Sequence, residues 1–131
     1  MLYIKKKLKG LASRKKMEES AMAYDEVLAK RIEKLMKKKG GFSKKEMFGG
    51  IGYMIHGNMC SGVHKEYLIL RLGKDVAESA LKEKHTRPFD ITGRPMSGWV
   101  MVNPNGTRDE DALRKWIDDA MSFVKTLPPK D

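Results

Sequence analysis

Apolar residues first fall into a periodic pattern at Tyr24, Val27, Leu28, Ile32, Leu35 and Met36, with Lys and Glu between them. Spacings of three and four predict an amphipathic helix. Lys37, Lys38 and Lys39 fall in its last turn, where cations suit the helix dipole, and Gly40-Gly41 stops it. A glycine-punctuated window follows and predicts three strands: Phe48 to Ile55, Asn58 to Val63 and Tyr67 to Leu72. Gly57-Asn58 makes the first turn and His64-Lys65-Glu66 the second. In the third strand Leu68, Leu70 and Leu72 share one face, and Tyr67, Ile69 and Arg71 the other. Gly49, Gly50 and Gly52 in the first strand point to a bulge or a close backbone approach.

Val76, Ala77, Ala80 and Leu81 supply the stripe of a short second helix, which ends before Arg87-Pro88. Phe89 to Ile91 and Trp99 to Val102 read as two further strands, joined by the turn-rich stretch Thr92 to Gly98. The last helix is the clearest. Thr107 and Glu110 form a T-x-x-E capping box. Leu113, Trp116, Ile117, Ala120, Met121 and Val124 then fall on one face, and Pro128-Pro129 ends the element. The order is helix, three strands, helix, two strands, helix. It predicts an α+β fold, a two-layer domain with a five-stranded antiparallel sheet backed by three helices.

Composition adds boundaries. At 131 residues, with 40% hydrophobic and 34% charged positions, this is one soluble domain. No apolar run approaches the roughly 20 residues of a membrane helix. The lysines after Ile4 lead into no signal-like apolar region. The single cysteine, Cys60, excludes an internal disulfide and fits a reducing, cytoplasmic setting. The net charge of +10 is uneven. Residues 1–22 carry seven basic and two acidic residues, the remainder twenty and fifteen, so each part contributes five. The chain therefore divides into a basic flexible arm, residues 1–22, and a domain, residues 23–131. The arm reads either as a phosphate-neutralising tail or as a solvated tail upstream of a true start near Met22.

Several pieces in order carry a family resemblance: MFGG (47–50), GNM (57–59), LILRLG (68–73), DITGRPMSGWV (90–100) and the closing LPPK (127–130). Together they resemble the TfoX/Sxy N-terminal domain family, from about Tyr24 to Lys130. The resemblance implies an α-β3-α-β2-α domain without accepted catalytic residues. The best-known members regulate competence genes and carry a second, C-terminal helical domain. This sequence reads as a stand-alone member lacking it.

Candidate chemistry is sparse. His56, Cys60 and His64 are spaced by four twice. The intervening turn leaves Cys60 and His64 as the simple same-face pair, which is too few for a zinc site. A thiol nucleophile would need a lowered pKa and an adjacent base, and a core-facing cysteine is the plainer reading. FGGIG lacks the lysine and hydroxyl of a P-loop. No catalytic residue, metal or cofactor is expected. Arg71, Arg87 and Arg94 are candidates for binding a phosphate or carboxylate, against a structural role pairing with Asp90 or Glu66. Lys30, Arg31, Lys34, Lys37, Lys38, Lys39, Lys44 and Lys45 form the densest basic patch, a candidate nucleic-acid surface or a solvated face. Met54, Met59, Met96 and Met101, among ten methionines, either fill the core or line an adaptable partner surface. The expected function is a non-enzymatic regulatory module. It works through a protein partner or self-association, with salt-sensitive nucleic-acid binding as the alternative.

Overall fold

In the computed structural model of this chain the described residues are 24–47 and 49–130. The expected basic arm lies outside them. Helix α1 (Glu26–Met36) starts at Asp25, whose carboxylate accepts from the backbone N–H groups of Val27 and Leu28, both at 3.0 Å. It buries Leu28, Ala29, Ile32 and Met36. Val27 is not on that face: it is 70% exposed, because the buried stripe centres on Leu28 and Ile32.

Strands β1 (Phe42–Met47), β2 (Gly50–Ile55), β3 (Asn58–His64) and β4 (Tyr67–Arg71) come next. Helix α2 (Lys74–Ala80), β5 (Thr86–Pro88), β6 (Trp99–Val102), a short α3 (Pro104–Thr107) and α4 (Glu110–Val124) complete the order. The sheet is antiparallel throughout, ordered β1-β2-β3-β4-β6-β5. It has six strands where the sequence predicts five. The extra strand, β1, is mostly polar (FSKKEM), so it carries no hydrophobic alternation to announce it. Such a charged edge strand resists pairing with other chains.

Three further local expectations are corrected. The β2–β3 hairpin turns at His56-Gly57, both at positive φ (50° and 81°), rather than at Gly57-Asn58. The strand expected at Phe89–Ile91 lies earlier, at Thr86–Pro88. Pro88 is tolerated there because β5 is an edge, and Phe89 leaves the edge to bury itself against Trp99, with ring centroids 5.4 Å apart. Helix α4 is capped by Asp109, which accepts from Ala112 N–H at 2.9 Å. Thr107 instead ends α3, and Glu110 is engaged by Arg31 at 3.1 Å.

Alternation sorts the sheet's side chains onto two faces. Tyr53, Val63, Leu68, Leu70, Val100 and Val102 point to the helices and form the main core with Ile32, Met36, Leu113 and Ile117. Each fully buried Leu or Ile there contributes about 1.5–3 kcal/mol. Tyr53 joins the layers, with its hydroxyl 2.8 Å from Glu33 Oε2 and 3.2 Å from the Ala29 carbonyl. A bulge falls where Tyr53 faces Ser61 but Met54 faces Met59, leaving Cys60 as the extra residue. Asn58, only 6% exposed, donates from Nδ2 to the Pro128 carbonyl at 2.8 Å, and Lys130 N–H donates to the His56 carbonyl at 2.8 Å. The C-terminal segment is thus fastened along the β2–β3 hairpin.

Replacing Asn58 by alanine leaves the Pro128 carbonyl without its donor. The expected loss is about 1–2 kcal/mol, read from urea unfolding. An unchanged midpoint would mean that the segment is not fastened through this bond.

Candidate functional site

The face of the sheet turned away from the helices carries the most distinctive surface. One cross-strand row there reads Lys45, Gly52, Gly62, Ile69, Met101, Arg87 from β1 to β5. A second holds Ser43, Met54 and Met59, continued on the far strands by Arg71 and Trp99. A third holds Met47 and Gly50, then His64 and Tyr67. The far end of the first row is roofed. Phe89 packs over Ile69 and Met101, with Trp99 and Ile91 around it, as a second small core. The loop that places this roof is closed by Met96 N–H donating to the Phe89 carbonyl at 3.0 Å.

The near end of that row is different. Gly52 and Gly62 stand opposite one another on β2 and β3, so two adjacent strands present no side chain. The result is a groove of about 530 Å³, lined by Met47, Met54, Met59, Met96, His64, Trp99 and three cations, Lys45, Arg71 and Lys130. In this state the methionine tips fold over the glycines. A β-carbon on Gly52 would have as its nearest neighbours the methyl ends of Met47 and Met59 at 3.2 and 3.3 Å and the Met47 sulfur at 3.5 Å. One on Gly62 would stand 2.6 Å from the Ile51 carbonyl oxygen. Unbranched thioether side chains suit such a place, since they fill a hollow and re-pack easily.

The three candidate arginines do not converge. Arg71 lines the groove with its guanidinium 5.4 Å from the Trp99 ring centroid and 5.9 Å from that of Phe123. Arg87 lies 5.7 Å from the Tyr67 ring and 3.7 Å from the Asp90 carboxylate. Arg94 is exposed on the loop and takes no part in lining the groove. The basic patch also divides. Arg31 is tied to Glu110 and donates to the Thr107 carbonyl at 2.7 Å, and Lys44 pairs with Glu33 at 3.3 Å. Lys30, Lys34, Lys37, Lys38 and Lys39 are exposed on α1 and the turn after it. Lys45 faces the groove, on the opposite side of the sheet from Lys44.

Cys60 and His64 do not share a face. The bulge adds one residue to β3, which puts Cys60 in the helix-side core while His64 lines the groove. Burial pushes the Cys60 thiol from 9.0 up to about 12, with Arg71 opposing weakly. Burial first, and then its hydrogen bond to Glu33, pushes the Tyr53 hydroxyl upward. Both groups are therefore protonated and inert at neutral pH. Among the described residues no group of three or more His, Cys, Asp and Glu side chains is placed to hold a metal ion. Lys130 is a groove residue that the sequence did not single out, and Gly52 stood out there only as a possible bulge or close approach, without its partner Gly62. Lys130 is brought there only by the returning C-terminal segment. The glycine pairing depends on a register that the sequence pattern does not state.

Gly62→Ala is expected to cost about 1–3 kcal/mol because a carbonyl must move. Gly52→Ala should stay within about 1 kcal/mol of the parent, helped by the lower entropy of its unfolded chain. Equal losses in chemical denaturation would contradict the placement of the methionine tips. The Cys60 thiol gives a pH test. Its folded pKa lies above its unfolded value, so its contribution is complete below pH 9.0 and is lost as pH rises toward about 12. Melting temperature should fall over that range, and less steeply in Cys60→Ala. Parallel declines would show that the thiol is not buried as described.

No curated protein matches this chain. A family model described as the TfoX N-terminal domain matches residues 34–124, from within α1 to the end of α4. The matched span takes in every strand and the roof of the groove. A small regulatory or interaction domain is what membership of that family describes. On the extent of that match, the chain belongs to the TfoX N-terminal domain family.

Proposed function

We propose that this protein is a docking module whose working surface is the helix-free face of its sheet. Its regulatory role, in transcription among other processes, is exercised through a protein partner. The observation that carries this reading is the methionine-lined groove at the Gly52–Gly62 pair, where the tips of Met47 and Met59 lie against the glycines. A packed sheet face would fill those positions with branched side chains, and a polar one would not be lined by four methionines. The sheet edges offer a partner little. β1 presents Ser43, Lys44, Lys45 and Glu46, and β5 is three residues long and ends in proline. Among the described residues no helix is long and apolar enough to cross a membrane.

A second reading, nucleic-acid binding, draws on one observation. Lys30, Lys34, Lys37, Lys38 and Lys39 are exposed, and none of the five enters an ion pair among the described residues. Such a surface binds phosphates through counter-ion release and is strongly salt-dependent. The groove is favoured because the patch is thinned by the pairing of Arg31 and Lys44 and is poor in aromatic residues for base stacking, Phe42 being stacked on Tyr53.

A photo-crosslinking phenylalanine analogue at position 54, expressed in the native host, separates the two readings. The docking reading expects a discrete protein adduct that disappears when Gly52→Val fills the hollow. The same analogue at position 34 should give none. Nucleic-acid adducts from position 34, abolished by reversing charge at Lys37, Lys38 and Lys39 and indifferent to Gly52→Val, would establish the second reading instead.

A further inference from the structure

The groove contains cations and no carboxylate. Lys45 stands at its β1 end, Arg71 at its β4 end and Lys130 on the C-terminal segment. Elsewhere cations lying against packed surface have acidic partners: Arg31 with Glu110, Lys44 with Glu33, Arg87 with Asp90. The cleft between α1 and β1 mixes Glu26, Glu33 and Glu46 with Lys30, Lys44 and Lys45. Arg71 is the exception. It is half-buried, bracketed by the Trp99 and Phe123 rings, and in no ion pair among the described residues. Ring contacts hold the guanidinium in place without neutralising it. A concave apolar surface concentrates the field of such a charge.

The spacing is informative. Lys45 and Arg71 are on strands three apart, a lateral separation of about 14 Å. Extended chain covers that in about four or five residues. Between the two cations lies the glycine pair, where one apolar side chain can replace the methionine tips.

We infer that the groove takes an extended acidic peptide segment of a partner protein. One large apolar side chain seats over Gly52 and Gly62, and flanking carboxylates pair with Arg71 at one end and with Lys45 or Lys130 at the other. This rests on the docking reading above and adds the chemistry of the partner. The apolar floor is what favours a peptide over a nucleic-acid strand. Phosphates would meet the same cations, but nothing in a strand backbone fills a methyl-lined hollow.

The test is a selection from displayed random seven-residue peptides on the full chain, with Gly52→Val as counter-selection. The expected groove-dependent peptides carry one large apolar residue flanked by Asp or Glu. Changing their acids to Asn and Gln should weaken binding to the parent protein about tenfold. It should change little on Arg71→Gln, and by an intermediate factor on Arg71→Lys, which keeps the charge without the planar stack. Thermal melts of all three variants establish that they are folded. Groove-dependent peptides without acidic enrichment, or acids whose loss is indifferent to Arg71, would overturn this inference and leave the docking reading standing. A selection that yields no groove-dependent peptide would overturn both, as would competition at the groove by an oligonucleotide as effective as the peptide.

Discussion

The pairing of Gly52 with Gly62 across β2 and β3 is the constraint on which the rest of this surface depends. A sheet with helices on one face only must do something with the other. Here it is divided. The β4–β6 half is roofed by Phe89, Ile91 and Trp99 and becomes a second small core. The β1–β3 half lacks side chains at two glycines and is filled there by thioether tips. Side chains at positions 52 and 62 would close the hollow and leave a flat face. The bulge at Cys60 sustains the arrangement. It lets β3 present Met59 to the groove while Cys60 and Ser61 both go to the helices.

The two faces also differ in electrostatics. On the helix side Arg31 and Lys44 have acidic partners, and the Tyr53–Glu33–Lys44 chain joins α1 to both β2 and β1. Exposed pairs of this kind contribute little to stability, and the lysines at 30, 34, 37, 38 and 39 stay outside them. In the groove Lys45, Arg71 and Lys130 are lining residues, with no acid among the rest of the lining. Part of the chain's net basicity is thus gathered in the groove. The place is decided by strand parity, which sends Lys44 to one side and Lys45 to the other.

Much of this fold was legible because it is written in periodic burial. The stripes of α1 and α4 and the leucine face of β4 follow the spacing of their apolar residues. What was not legible had no such signal. β1 is polar at four of six positions, so only its pairing to β2 makes it a strand. Phe89 and Ile91 look like a strand by composition, yet burial of Phe89 on the open face draws them off the edge. The T-x-x-E box at Thr107 was out-competed by Asp109, because Glu110 is engaged by Arg31. Of the candidate site residues, Arg71 and Lys45 enter the groove, and Met54, Met59 and Met96 line it. Met101 went to the small core. The glycines were recognisable as unusual, but their partnership is a property of register and not of spacing.

The docking surface requires that the methionine tips covering the glycine pair can move aside. Selective methyl labelling of the methionines tests this most directly. Met47 and Met59 should show nuclear Overhauser contacts to the α-protons of Gly52 and Gly62, with methyl order parameters well below those of the buried Met36 and Met121. Methyl groups at 47 and 59 as rigid as those in the core, or without contact to either glycine, would contradict it.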